Sequence, residues 1–233
     1  MRIIAISGTK NTGKTTLVTK IVSELVKRDF KVGTVKHTHH GFDTEGKDTW
    51  KHNEAGSEIV VGSGNETFFT LKEKMDLDTI LSIIKFIKNP DFVVLEGFKQ
   101  SKYAKICTSP IDDEFTLAIV DVFEIDQNDL ESLVDLIEER SYGILQNLDY
   151  KKYGFKTDEE FAVALINGEM KSEDLEIESE ILLRIDNAII PMNLFVQDFL
   201  KNTVQGAINS LKIEKFGAKD IKKIELLINE NIK

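Results

Sequence analysis

The residues best suited to chemistry form a glycine-rich segment close to the start of the chain. Residues 8–15 match the pattern G-x-x-x-x-G-K-[ST] in full. In such a segment the glycines let successive backbone N–H groups approach the oxygens of a phosphate. The lysine reaches the outer phosphates and is expected to act in catalysis, and the following hydroxyl coordinates Mg²⁺. The predicted phosphate-binding loop consists of Gly8, Thr9, Lys10, Asn11, Thr12, Gly13, Lys14, Thr15 and Thr16.

An acidic residue at the end of an apolar run is the second candidate. Residues 92–95 are wholly apolar, and Glu96 and Gly97 follow them. Proteins with a phosphate-binding loop carry at this place an acid that orients Mg²⁺ or water; the alternative is a strand that ends at a solvated acid. Because ligands of parallel sheets gather at the carboxyl ends of strands, we predict that Glu96 is catalytic. Thr15 and Glu96 are the predicted metal ligands.

A concentration of histidines forms the third candidate, since all four histidines lie between positions 37 and 52. Histidines beside carboxylates can bind a transition metal, can donate to an anionic ligand, or can simply lie on a polar loop. Their spacing matches no standard zinc motif. A phosphate-rich ligand is therefore the favoured interpretation. The residues in question are His37, His39 and His40 with Asp43 and Asp48.

Alternating strands and helices would bring these residues to one edge of a sheet. The segment 2–7 is a nearly continuous apolar run, which is typical of a central strand covered on both faces. The alternation predicts an α/β fold of the P-loop NTPase type, with a mostly parallel sheet and helices on both faces. Asn128 and Glu131 resemble a capping box. The predicted strands lie at 2–7, 31–36, 58–61, 67–71, 92–95 and 116–120, and the predicted helices at 14–28, 78–88 and 128–140.

Beyond position 142 the pattern changes to acidic, less regular sequence. We predict a boundary near Ser141, with a nucleotide-binding domain at 1–141 and a small α+β extension at 142–233. The extension would contain a hairpin of residues 180–185 and 188–192, a helix over 194–211 and a final strand over 222–228.

Composition narrows the possible partners. The formal net charge is −10 and no polybasic run is present, which argues against nucleic acid as a partner. No apolar stretch is long enough to span a membrane. The single cysteine, Cys107, is expected to be a small core residue. These features predict a cytoplasmic protein without a membrane partner.

Five segments in a fixed order carry a resemblance to a known family. They are GTKNTGKTT (8–16), VGTVKHTHHGFD (32–43), EGKDT (45–49), EAGS (54–57) and VVLEGFK (93–99). Together they resemble the molybdopterin-guanine dinucleotide biosynthesis protein B (MobB) family, over residues 1–140. The first segment is generic, whereas residues 37–49 and 96–99 are far more specific to the family.

The resemblance implies a GTP-binding protein that requires Mg²⁺, forms a homodimer and hydrolyses GTP only weakly. It further implies an adapter for the guanylyltransferase that converts molybdopterin to molybdopterin guanine dinucleotide in molybdenum or tungsten cofactor synthesis. The C-terminal extension departs from the short form of the family.

The resemblance also implies roles for residues outside the phosphate-binding loop. Asp43 and Asp48 would position water or support the metal site, with Asp43 counted among the catalytic residues. His37, His39, His40 and Lys99 would line the open face where a molybdopterin phosphate or a partner protein docks. The chain lacks an Asn-Lys-x-Asp guanine-recognition motif. Asp121 is therefore the candidate acceptor for the guanine N–H groups.

Two other function classes fit the same loop. A P-loop small-molecule kinase would use ATP and turn over with its acceptor. A metallochaperone GTPase would use the loop from His37 to His40, although Cys-x-x-Cys and a histidine-rich tail are both missing from the sequence.

Overall fold

Five parallel strands pair side by side in the central sheet of the computed structural model, which confirms the predicted mostly parallel sheet. The strands of the chain are β1 (Arg2–Ser7), β2 (Val32–Lys36), β3 (Ile59–Ser63), β4 (Thr67–Leu71), β5 (Phe92–Glu96), β6 (Lys105–Cys107), β7 (Thr116–Ile119), β8 (Arg184–Ile185) and β9 (Ala188–Ile189). The order in the central sheet is β2-β5-β1-β6-β7. The strand β1 that leads into the phosphate-binding loop is thus its middle strand.

The structure describes residues 1–38, 41–111, 113–144, 150–171, 181, 183–185, 188–190, 192, 194–211 and 224. The chain divides into two units, one of residues 1–146 with 150–176 and one of residues 147–149 with 177–233.

The structure describes six α-helices, the last of which belongs to the second unit. They are α1 (Lys14–Lys27), α2 (Asp48–Glu54), α3 (Leu77–Ile87), α4 (Gln127–Arg140), α5 (Asp158–Asn167) and α6 (Leu194–Asn209). Helix α1 contacts β1, β2, β5 and α4. The connection through α1 runs from β1 outward to β2, and the one through α3 runs back to β5. Right-handed crossovers therefore place α1 and α3 on opposite faces.

The core consists of the central strands and the inner stripe of α1. From Ile3 to Ser7 and from Phe92 to Leu95 every residue is buried, because both faces of these strands are covered. Leu17, Ile21 and Leu25 of α1 are fully buried at helical spacing. Burial of each such side chain stabilises the fold by about 1.5–3 kcal/mol.

Strand β6 is a central strand that the sequence pattern did not predict. It has only three residues, and its first residue is a lysine that is 1% exposed. The Lys105 ammonium pairs with Asp113 and lies 5.1 Å from the centroid of the Phe115 ring. This buried charge interrupts the apolar pattern by which a central strand is recognised.

The N-cap of helix α4 lies two residues before Asn128, the predicted cap. The cap is Asp126, whose carboxylate accepts from Asp129 N at 2.9 Å, while Asp126 N donates to the Asp129 carboxylate at 3.3 Å. The predicted pair Asn128 and Glu131 was wrong because aspartate at both cap positions supplies the same reciprocal bonds.

The segment between β2 and α3 contains α2, which was not predicted, and the predicted pair of strands. β3 and β4 form an antiparallel sheet of their own. Two cross-strand pairs on one side of it, Ile59 with Leu71 and Val61 with Phe69, are apolar and exposed.

The first unit extends beyond the predicted boundary at 141 and 142. Helix α5 contacts α4 and β7, and Phe161 and Leu165 of this helix are buried. In the second unit, β8 and β9 pair in a hairpin and α6 follows, close to the predicted elements. The predicted strand over 222–228 lies outside the described residues, apart from 224. Among the described residues no helix is both long and apolar enough to cross a membrane.

Candidate phosphate-binding site

The phosphate-binding loop (residues 8–16) joins β1 directly to α1. Gly8, Asn11 and Gly13 have positive φ angles of 149°, 63° and 80°, a backbone region that glycine adopts freely and asparagine tolerates. Gly13 caps α1 without any side-chain hydrogen bond, and the first turn contains no acidic residue. The first N–H groups of the helix therefore face the loop without a side-chain acceptor, as an anion site requires.

Two residues at the end of β6 hold the loop from the side, and neither was predicted. The Thr108 hydroxyl lies 2.6 Å from the Thr12 hydroxyl, and Thr9 N donates to Ser109 Oγ at 3.0 Å. A Cβ on Gly8 would lie 2.1 Å from Thr108 Oγ1. These contacts fix the first half of the loop. The sequence gives little signal for them, because threonine and serine are common and lie about a hundred positions away.

A third contact comes from the segment that follows β7. A Cβ on Gly13 would lie 3.0 Å from Val122 Cβ, and Val122 is only 3% exposed. Glycine at position 13 is thus required both by its φ angle and by the neighbouring side chain.

The predicted metal ligands come together on the other side of the loop. Thr15 Oγ1 donates to Glu96 Oε1 at 2.7 Å, and Lys36 Nζ lies 3.0 Å from the same oxygen. The Glu96 side chain is 13% exposed. A hydroxyl and a carboxylate beside a phosphate site are the oxygen ligands that Mg²⁺ prefers, so these residues fit that ion.

Lys14 of the loop interacts electrostatically with Glu96 and with two other lysines, Lys36 and Lys99. Lys14 donates to Thr9 O within the loop. Partial burial lowers the pKa of the Lys14 ammonium, the charge of Lys99 lowers that pKa further, and Glu96 acts in the opposite direction. Lys14, Lys36 and Lys99 therefore make a positively charged site that suits a polyanion.

The backbone brings His37 to the same edge of the sheet. His37 N donates to Glu96 O at 2.9 Å, and its ring packs against Phe98 with centroids 5.3 Å apart. His39 and His40 lie outside the described residues. No group of three histidine, cysteine, aspartate or glutamate side chains suited to a metal ion occurs in the described ranges.

The remaining predicted acids lie on separate loops. Asp43 Oδ1 accepts from Thr44 N and Thr49 Oγ1, at 2.9 and 3.1 Å, and its Oδ2 is buried without a hydrogen bond partner in the described structure. Asp48 pairs with Lys51 at 3.3 Å and is 89% exposed. Asp121 Oδ1 accepts from Phe123 N at 3.0 Å. Within the described ranges, no hydrogen bond joins these three carboxylates to the phosphate-binding loop.

Residues 3–114 match the family model of molybdopterin guanine dinucleotide synthesis protein B. A protein of Methanocaldococcus jannaschii named "Putative molybdopterin-guanine dinucleotide biosynthesis adapter protein" is 30% identical over 224 residues, which cover 91% of this chain and 92% of that protein. The molybdopterin-guanine dinucleotide biosynthesis adapter protein of Haemophilus influenzae is 34% identical over 157 residues, or 58% of this chain and 87% of that protein. The extension is therefore shared with the first relative.

Among solved structures, Bacillus subtilis MobB is similar to this chain with 26% identity and a TM-score of 0.42, covering 57% of this chain and 73% of that chain. A MobB homologue from Bacillus stearothermophilus has 20% identity and a TM-score of 0.43, covering 58% of this chain and 97% of that chain.

Proposed function

Since this chain belongs to the molybdopterin guanine dinucleotide synthesis protein B family, we propose that it is a cytoplasmic GTP-binding adapter in molybdenum or tungsten cofactor synthesis. It binds GTP with Mg²⁺ and assists the guanylyltransferase that converts molybdopterin to molybdopterin guanine dinucleotide. The observation that carries this proposal is the phosphate-binding loop with the Thr15 and Glu96 oxygens 2.7 Å apart beside it.

The residues of the site have distinct roles in this proposal. The N–H groups at the start of α1 and the Lys14 ammonium bind the phosphates, while Thr15 and Glu96 hold Mg²⁺, which screens the charge between the outer phosphates. Thr15 and Lys36 both donate to the Glu96 carboxylate. In this proposal Glu96 is a metal ligand rather than the base that activates water, and GTP hydrolysis is therefore weak. Asp43, whose second oxygen has no described partner, is the proposed residue for orienting water.

The open face beside the loop is the proposed docking site for a molybdopterin phosphate or for the guanylyltransferase. Lys99 extends the positive charge of the site along this face, His37 adds an imidazole ring there, and His39, His40 and Asp48 are the other proposed members. A phosphate group is recognised here by charge and by imidazole N–H groups.

We further propose that a second copy of the chain covers the exposed side of the β3 and β4 sheet. Ile59, Val61, Phe69 and Leu71 are between 42% and 60% exposed on that side, and none carries a charge. A two-stranded sheet is marginal in water unless an apolar side is covered. An identical apolar surface on a second copy meets this need in a symmetric homodimer.

Calorimetric titration with GTP, GDP and ATP in the presence of Mg²⁺ tests the nucleotide part of the proposal. Guanine nucleotides are expected to bind more tightly than ATP, and Lys14→Ala is expected to abolish binding. Lys88→Ala, which changes an exposed lysine at the end of α3, is the matched control. Preference for ATP would favour the small-molecule kinase instead.

A reconstituted reaction tests the adapter role. Purified guanylyltransferase, molybdopterin and GTP are mixed with the wild-type chain or with Lys14→Ala, and the dinucleotide product is measured by chromatography. We expect the product to increase only with the wild-type chain. An equal yield in both reactions contradicts the adapter role, and stoichiometric Ni²⁺ or Zn²⁺ binding would favour a metallochaperone.

A further inference from the structure

The position of the metal ligands fixes the direction in which a bound nucleotide must lie. Glu96 ends β5, which pairs with β1 on one side, whereas β6 and β7 lie on the other side. In the proposed function, the outer phosphates would face Thr15 and Glu96, the residues that would hold Mg²⁺. The nucleoside end of the molecule would then leave the phosphate-binding loop toward the ends of β6 and β7.

The segment of residues 120–125, which we name the β7–α4 loop, lies directly beside the phosphate-binding loop on that side. Its Val122 is buried and faces Gly13. On the other flank, Lys20 Nζ of α1 donates to Ile125 O at 3.5 Å. The β7–α4 loop is therefore held against the start of α1, where a nucleoside must pass.

The β7–α4 loop presents an aromatic ring beside an oriented carboxylate. Phe123 is 79% exposed, although it follows the buried Val122 directly. A turn with Glu124 N donating to Asp121 O at 3.2 Å holds the loop, and Phe123 N donates to Asp121 Oδ1 at 3.0 Å. That bond orients the carboxylate and leaves Oδ2 without a hydrogen bond among the described residues.

Resting on the proposed GTP-binding function, we propose that the β7–α4 loop is the nucleobase subsite, in which Phe123 stacks on the base and Asp121 recognises guanine. An exposed phenylalanine is a stacking surface for any base. A carboxylate accepts from the guanine N1–H and N2–H groups together, whereas adenine has an acceptor at N1 and would face Asp121 unfavourably. This recognition does not require an Asn-Lys-x-Asp motif.

Stacking is tested by calorimetric titration of the full chain with GTP, ATP and inorganic tripolyphosphate, each with Mg²⁺. Phe123→Ala is expected to lower the affinities for GTP and ATP by about tenfold and to leave the affinity for tripolyphosphate unchanged. Phe195→Ala removes a ring that is 78% exposed in α6 and is the matched control. Equal GTP affinities in the two variants would overturn the role of Phe123.

Base recognition is tested with Asp121→Asn and xanthosine triphosphate. Xanthine has a carbonyl where guanine has its amino group, so an asparagine amide can donate to it. We expect the variant to lose about 10- to 100-fold in GTP affinity and to bind xanthosine triphosphate more tightly than the wild type does. The control is Asp198→Asn, at an exposed position in α6.

The two proposals fail in different ways. If the wild type binds GTP and Phe123→Ala binds it equally well, or if Asp121→Asn keeps its full guanine preference, the nucleobase subsite is wrong and the proposed function stands. If neither GTP nor tripolyphosphate binds, or if Lys14→Ala binds them normally, the proposed function fails and the subsite fails with it.

Discussion

At the scale of single residues, Gly13 of the phosphate-binding loop differs from Gly46 in what surrounds it. Gly13 and Gly46 have nearly the same φ angle, 80° and 83°. A Cβ on Gly13 would meet Val122 at 3.0 Å, whereas a Cβ on Gly46 would have nothing within 4 Å. A substitution by alanine would thus strain the backbone at both positions, but of the two it would cause a steric conflict only at Gly13.

The pair Gly13→Ala and Gly46→Ala separates these two effects. Both variants are expected to lose about 1–3 kcal/mol of unfolding free energy from backbone strain. Gly13→Ala should lose more, and its nucleotide affinity should fall at least tenfold because the first turn of α1 must shift. Urea unfolding and titration with GTP measure the two quantities. Equal stability and equal affinity would contradict the steric role of Val122.

The carboxylate of Glu96 is expected to serve the metal rather than the phosphates. Glu96→Gln should lower the affinity of the GTP-bound chain for Mg²⁺ by roughly 10- to 100-fold. It should leave the affinity for GTP in EDTA nearly unchanged. Titration of the GTP-bound chain with Mg²⁺ measures this. Glu66→Gln, in the exposed turn between β3 and β4, is the control. A loss of GTP affinity in EDTA would show that Glu96 acts in another way.

The sequence alone predicted the site residues that belong to a recognisable motif. It missed the residues that contact the phosphate-binding loop only because the fold brings them there. The loop motif and Glu96 belong to patterns with a known chemical purpose, so their proximity could be expected before the structure. Thr108, Ser109 and Val122 are ordinary residue types in the segments that follow the distant strands β6 and β7. Their contacts with the loop depend on the strand order β1-β6-β7, which the local pattern does not encode.

At the scale of the elements, α3 is stabilised by the side chain of its N-cap residue, Asp76. The Asp76 carboxylate accepts from Thr79 N at 2.8 Å and from the Thr79 hydroxyl at 2.9 Å. The backbone N–H bond from Thr79 is the main cause that lowers the Asp76 pKa. Because that pKa is lowered in the folded state, the ionised carboxylate stabilises the fold at neutral pH, and this contribution is lost as pH falls below about 4.

Asp76→Ala is expected to reduce the unfolding free energy by about 0.5–2 kcal/mol at pH 7. Asp76→Asn keeps an acceptor oxygen without the charge, so it should lose less stability at pH 7. The difference between wild type and Asp76→Asn should shrink as pH falls below about 4. Thermal unfolding across this pH range measures the effect, and a constant difference would contradict the cap.

Among the elements, long apolar patterns were predicted better than short ones. The core strands β1 and β5 are nearly continuous apolar runs and helix α1 has a clear helical period, and the structure agrees with all three predictions. β6 was missed because three residues with a buried lysine carry no period. Helix α2, with seven residues and none buried, has no apolar stripe by which it could be recognised.

At the scale of the whole molecule, the proposed homodimer buries the exposed apolar side of the β3 and β4 sheet. Val61→Lys places a charge at the centre of the exposed apolar side and is expected to convert the dimer to a monomer. Sedimentation equilibrium measures this. Ile87→Lys, which changes an apolar residue that is 58% exposed at the end of α3, should leave the assembly unchanged. An unchanged assembly in Val61→Lys, with normal circular dichroism, would contradict the interface.

The ion pair between Lys36 and Glu96 has a consequence for how the site fills. The Lys36 ammonium is the counter-ion of the Glu96 carboxylate, and it therefore opposes the attraction of this carboxylate for a divalent ion. In the proposed function, Mg²⁺ held by Glu96 would exchange with this ammonium, which would then pair with a phosphate of the nucleotide. Binding of the metal and binding of the nucleotide would thereby be thermodynamically linked, each raising the affinity for the other by the same factor.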